Sequence, residues 1–175
     1  MDSLVGMHVL RIAHIVTGAF WVGTVVFLAA FLLPSLRAAG PAAGPVMYQV
    51  GEVRRMPLWL MGAGALTVLS GIALYWRDSA GFTSTAWLAS GEGRVFGLGG
   101  VLAVVALILG IGVISPAAKQ LGMVTARLQS AGRPPTPEEI ATIERSQRKV
   151  ARASGLGAGL LLLATVAMAV ARYVP

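Results

Sequence analysis

The sequence contains no cysteine. That excludes a disulfide framework, thiolate metal centres, iron–sulfur clusters and a cysteine nucleophile, and it removes thiol usage as a guide to redox compartment. Charge is also scarce. Only 12% of the 175 residues are Asp, Glu, Lys or Arg, about half the share found in soluble domains. These residues are bunched, which leaves several uncharged stretches near the roughly 20 residues that one helical crossing of a bilayer needs. The acidic sign is the rarer, seven against fourteen basic. No pair of carboxylates falls inside an apolar stretch, so two-carboxylate acid–base chemistry is absent from the membrane interior. Histidine occurs only twice, and the seven methionines form no Met-x-x-Met run of the kind copper(I) favours.

What is present is apolar: 56% of the chain is hydrophobic. Four spans are expected, at about residues 10–33, 58–76, 95–114 and 153–171. Proline sets the first boundaries, because its missing N–H and its ring disfavour a helix interior. Span one should stop at Pro34, span two should start just after Pro57, and span three should end before Ser115-Pro116. Trp59, Tyr75 and Trp76 lie near the ends of span two, where amphipathic rings favour the headgroup layer. Thr136-Pro137-Glu138-Glu139 reads as a capping box with proline at the first helical position, and from it one helix could run to about residue 172. Its first half is polar and its second apolar. Residues 117–130 carry Leu121, Val124 and Leu128 at helical spacing, and Ile140, Ile143 and Val150 offer a matching stripe. Residues 116–152 should therefore form a helical hairpin closed by Gly132-Arg133-Pro134-Pro135, while residues 35–56 hold one short amphipathic helix. The N-terminus lacks the basic run of a signal peptide, so the first apolar stretch reads as a retained span. The fold class is all-α: a polytopic four-transmembrane-helix bundle with spans three and four extended into the cytoplasm.

The +7 net charge would point to nucleic acid in a soluble domain, but on the loops of a membrane protein it marks the cytoplasmic side. No nucleic-acid partner is expected; the bilayer is. Arg37, Arg54, Arg55, Lys119, Arg127, Arg133, Arg145, Arg148, Lys149 and Arg152 fall in the two larger connections. Arg11, Arg77, Arg94 and Arg172 fall on the other side. Ten against four places the larger connections in the cytoplasm and both termini outside. In a bacterium that means the inner membrane, with periplasmic termini.

An ionisable residue within a span defaults to a functional hypothesis, which makes His14 the first candidate. It shares a helical face with Gly18, Trp21 and Val25, and small Gly18 leaves room below the imidazole for a planar ligand or a close neighbouring helix. His8, about 120° away in azimuth, reads as solvated. Alternating topology puts His14, Tyr75, Arg94 and Met168 at one depth near the outer ends of their spans. A histidine and a thioether on facing helices can ligate haem iron from opposite sides, with Arg11 and Arg94 pairing with propionates. The same residues have ordinary uses: His14 as a donor between helices, Met168 as filler and the arginines as snorkelling end residues. A metal site built only from protein would have His14 and, at the rim, Glu92. The patterns Gly93-x-x-x-Gly97 and Gly155-x-Gly157-x-Gly159 lie in apolar helices and read as packing surfaces rather than phosphate loops.

The run Leu10-Arg11-Ile12-Ala13-His14-Ile15, followed by Gly18, Trp21-Val22-Gly23 and Leu33-Pro34, resembles the first span of the CopD-like and HemJ-like membrane proteins. Leu69-Ser70-Gly71-Ile72-Ala73-Leu74 is similar to their second span, and Arg94 stands where HemJ-like proteins carry a lysine. The resemblance implies a four-helix membrane bundle. For HemJ-like members it also implies a first-span histidine ligating haem b and oxidation of protoporphyrinogen; CopD-like members are linked to copper uptake. The leading expectation is thus a haem b protein of membrane electron transfer or porphyrin oxidation. A non-enzymatic accessory or assembly subunit, using its glycine-lined faces against a membrane partner or a second copy, is the alternative. A copper-handling protein or small permease is the third.

Overall fold

The structure is a computed structural model that describes residues 2–175. Its first helix, α1 (Asp2–Phe27), runs through a π turn (Leu28–Leu32) into α2 (Leu33–Ala39). A 3-10 turn, α3 (Gly44–Tyr48) and a second π turn lead to α4 (Met56–Asp78). The short α5 (Thr85–Ala89) precedes α6 (Gly91–Leu109), which continues through a third π turn (Gly110–Ile114) into α7 (Ser115–Ala131). The last helix is α8 (Pro137–Val170). Four helical stretches are long and apolar enough to cross a membrane: Leu4–Ala39, Met56–Asp78, Gly91–Leu128 and Pro137–Tyr173. The protein is an all-α, four-helix integral membrane bundle.

The bundle is a ring in which α1 packs on α4, α4 on α6, α6 on α8, and α8 back on α1. Lipid tails are as apolar as leucine, so burial alone does not hold such helices together; close approach through small residues does. α8 supplies that surface. Ala153, Gly157, Leu161, Ala164 and Ala167 recur every three or four residues on its buried face. At the centre, Trp21 (5% exposed) meets Ala106 and Leu161 (2% exposed). Gly64 makes room for the indole, since a Cβ there would lie 2.9 Å from Trp21 Cε2. Outward-facing Leu69, Ile108, Leu163 and Val166 remain exposed, as a bilayer-facing surface requires.

Two helix ends differ from the proline-based expectation. The chain stays helical through Pro34 to Ala39 and through Pro116 to Ala131. In each case a five-residue π turn ends two residues before the proline, and Leu33 N–H bonds Leu28 O while Ser115 N–H bonds Gly110 O. The widened turn shifts the preceding carbonyls away from the ring and absorbs the bond that proline cannot make. Residues 35–56 are likewise more helical than one short helix, and Arg55, with φ 51°, turns the chain into α4.

At the far end, α7 and α8 form an antiparallel hairpin. Gly132 (φ 58°) makes the left-handed turn. Thr136 Oγ1 accepts from Glu139 N–H at 3.3 Å and the Glu139 carboxylate accepts from Thr136 N–H at 2.8 Å, the reciprocal capping box. Arg133 closes on Glu139 at 2.8 Å. Ser146 and Val150 face inward, and Ser146 Oγ donates to Gln120 Oε1 at 3.4 Å. Ile140, placed on the inner stripe by periodicity, is 43% exposed, because the stripe that meets α7 is centred on Ser146 and Val150.

Candidate functional site

The polar centre of the membrane region lies between α1 and α4. His14 is half-buried, with Nδ1 2.8 Å from the Thr67 carbonyl oxygen and 3.3 Å from Ser70 Oγ. A carbonyl only accepts, so the short contact requires the proton on Nδ1; the neutral ring then presents Nε2 as a free lone pair. Ser70 Oγ donates to Leu66 O at 2.6 Å, which leaves its lone pairs facing the imidazole N–H. Gly71 allows the ring to lie this close to α4, since a Cβ there would sit 2.9 Å from His14 Cε1.

One turn deeper, the Thr17 and Thr67 hydroxyls stand 2.8 Å apart, and each is 2.7 Å from a carbonyl one turn back on its own helix, Ala13 and Ala63. Three contacts share two protons, so two of them are made at once. Gly18 does not leave a vacancy under the imidazole. The Thr67 methyl occupies the space, 3.3 Å from where a Gly18 Cβ would be, so of the two uses Gly18 allowed, the close neighbouring helix is the one realised.

Helix register sorts the other candidates by depth. His14 lies beside Thr67, Ser70 and Gly71 while Gly64 backs Trp21 and Leu107, and Tyr75 meets Gly93 and Gly97. Counting along these antiparallel pairs brings His14 level with Gly99, on which the Met168 methyl rests (3.0 Å from a Gly99 Cβ). Tyr75, Arg94 and Arg11 fall about one turn further out. His14 is turned to α4, whereas the Met168 tip is turned to α6. Tyr75 donates to Gly93 O at 3.2 Å and stands edge-on to Trp87 at 5.0 Å, so it is part of the rim. Arg94 is exposed and Arg11 half-buried; neither guanidinium has a partner among the described residues. His8 is exposed. Of the glycines at 155, 157 and 159, only Gly157 faces a neighbour, Leu109.

The rim itself is built by Ser79, which is fully buried. Its Oγ accepts from Phe82 N–H at 3.0 Å and donates to Trp76 O at 3.1 Å. This clamps Ala80, Gly81 and Phe82, all with positive φ, a strained run that persists only where its surroundings enforce it.

Thr17, Thr67, Ser70, Gly71 and Ser79 had no place among the sequence candidates. The signal existed for three of them: Thr67 and Ser70 stand at i, i+3 within the apolar α4, and Thr17 stands one turn from His14. Among the described residues no three His, Cys, Asp or Glu side chains gather into a metal-binding group. Comparison with protein families, with curated proteins and with solved structures found no match.

Proposed function

We propose that this chain binds haem b in the half of the bundle where α1 begins, where His14 Nε2 would hold the iron, and serves membrane electron transfer or porphyrin oxidation. The observation that carries this reading is the bond from His14 Nδ1–H to the Thr67 carbonyl. Iron-binding histidines are commonly oriented by such a bond on the other ring nitrogen, which fixes the tautomer and raises the basicity of the ligating one. The donor set also suits the group. One imidazole and one thioether cannot hold a bare metal ion alone, but a macrocycle brings four nitrogens of its own and needs only axial ligands. Haem supplies one-electron redox chemistry when bound.

The chain's part is positioning. Thr67 and Ser70 hold the imidazole plane, and Gly71 lets it lie along α4. Met168, level with His14 on the neighbouring α8, would serve as second ligand only by turning its thioether away from Gly99 of α6, on which it rests. Arg11 and Arg94, one turn outward, would pair with the propionates, with Tyr75 at the rim. An arginine stays charged at any ordinary pH, so Arg94 suits charge pairing rather than proton acceptance. The enzyme form of this reading is a protoporphyrinogen-oxidase-like membrane oxidoreductase, in keeping with the HemJ-like first-span pattern. The excess of basic residues around the hairpin supports an orientation with both termini outside, the haem near the outer leaflet, and residence in the inner membrane if the source is bacterial.

The test is an absorption spectrum of the detergent-purified protein, oxidised and dithionite-reduced, after expression with added haem precursor. A reduced α-band that His14→Ala removes, with helicity intact, is the expected result. A colourless, folded wild type overturns the reading.

One observation favours a second reading, that of a non-enzymatic accessory subunit. The apolar window of the first span is only 6% buried, against 33% in the fourth. A cavity of about 540 Å³ between α1 and α4, lined by Val16, Phe20, Trp59 and Leu66 among others, opens beside it. A partner helix would fill that groove. Photo-crosslinking from position 59 to one protein, undiminished in His14→Ala, would favour the subunit over the haem protein.

A further inference from the structure

A second cavity, of about 530 Å³, lies on the other side of the bundle, where the third span passes through its π turn against α8. Its walls are Arg145, Arg148, Lys149 and Arg152; Leu109, Val113 and Leu156 form its floor. Arg145, Lys149, Arg152 and Leu156 follow one another at i, i+4, i+7 and i+11, a single face of α8. Of the four cations only Arg148 has an acidic partner, Glu144 at 3.1 Å, and that pair is exposed at 61% and 56%. The nearby Glu139 is taken by Arg133. Three positive charges therefore face this cavity without a counter-charge among the described residues.

We propose that this groove holds an anionic diacyl phospholipid, its phosphate among the four cations and its acyl chains along the floor. Depth supports a lipid over a free anion. The cations span about 10 Å along α8, enough to cross the roughly 5–8 Å headgroup region of one leaflet from the hydrocarbon edge outward. Residues 153–171, directly beyond them, carry no charge. On the same face Leu156 and Leu163 are exposed to the hydrocarbon, so a molecule bound here meets cations at one end and leucines along its length. Inorganic phosphate would use only the first. A zwitterionic headgroup would bring an ammonium into a cluster already in positive excess, which favours a net negative lipid. The other basic connection differs: Arg37 is engaged with the Gln147 carbonyl at 2.5 Å, and Arg54 and Arg55 line neither cavity.

Native mass spectrometry of the full chain released from detergent tests this, with phosphatidylglycerol and phosphatidylcholine of matched acyl chains as competing probes and inorganic phosphate as a third arm. Wild type should retain phosphatidylglycerol roughly tenfold over phosphatidylcholine. The triple variant Arg145→Gln, Lys149→Gln, Arg152→Gln should lose that preference, and the control Arg54→Gln, Arg55→Gln should keep it. Equal retention of both lipids by wild type, an unchanged preference in the triple variant, or displacement of the lipid by inorganic phosphate would each overturn the proposal. Because the wild-type preference decides by itself, a triple variant that fails to fold leaves the outcome readable.

Discussion

Gly71 sets how His14 lies on α4, and that makes the pair separable by substitution. A methyl at position 71 would intrude on the imidazole, so Gly71→Ala is expected to lower stability by ~1–3 kcal/mol, the usual cost of overpacking. Gly62→Ala on the same helix meets nothing within 4 Å and should be close to neutral. Thermal unfolding in detergent of the two variants side by side measures the difference. His14 was legible because a lone ionisable side chain in an apolar stretch has few ordinary reasons to be there. Its partner was not, because the acceptor is a backbone carbonyl: every residue carries one, and only the packing of α1 on α4 selects Thr67. The same holds for Met168, whose place in the sequence says nothing of the glycine it rests on.

Local signals at the element scale were read correctly where they were complete within a few residues. The Thr136 box is such a case: cap, proline and glutamate are contiguous, and nothing distant is needed to form it. Thr136→Ala should cost ~1 kcal/mol of hairpin stability, seen as earlier loss of protection in amide exchange over α7 and the start of α8. Acid should act through the same element. The Arg133 side chain, with Thr136 N–H, lowers the Glu139 pKa from 4.5 to about 2. Folding thus favours the charged carboxylate: its contribution is complete above the ordinary carboxylate range and disappears as pH falls toward 2. Glu139→Gln should remove that part of the acid sensitivity, read by circular dichroism of the solubilised protein between pH 5 and 2. Pro34 and Pro116 illustrate the opposite case. Steric rules of the α-helix predicted ends there, but a five-residue turn with i→i−5 bonding accommodates the ring, and nothing in Leu28–Leu32 or Gly110–Ile114 announces one.

For the molecule as a whole, the number of membrane-length helices and the all-α class followed from composition, whereas the order of helices around the ring did not, because the inward faces differ from the outward ones in size more than in polarity. Orientation can be measured directly, since a chain without cysteine gives no background. With single cysteines at Ala86 and Ser130, an impermeant maleimide applied to whole cells should label A86C and spare S130C; the reverse pattern would invert the proposed orientation. The two proline-linked π turns also have a mechanical consequence. Both pack against α8, which has no proline beyond its first residue and stays α-helical for 34 residues, about 51 Å. The first and third spans are thus jointed rods laid on a straight axle. Bending at residues 28–34 or 110–116 is therefore opposed by α8, which runs unbroken through both the half of the bundle holding His14 and the hairpin half and ties the two together.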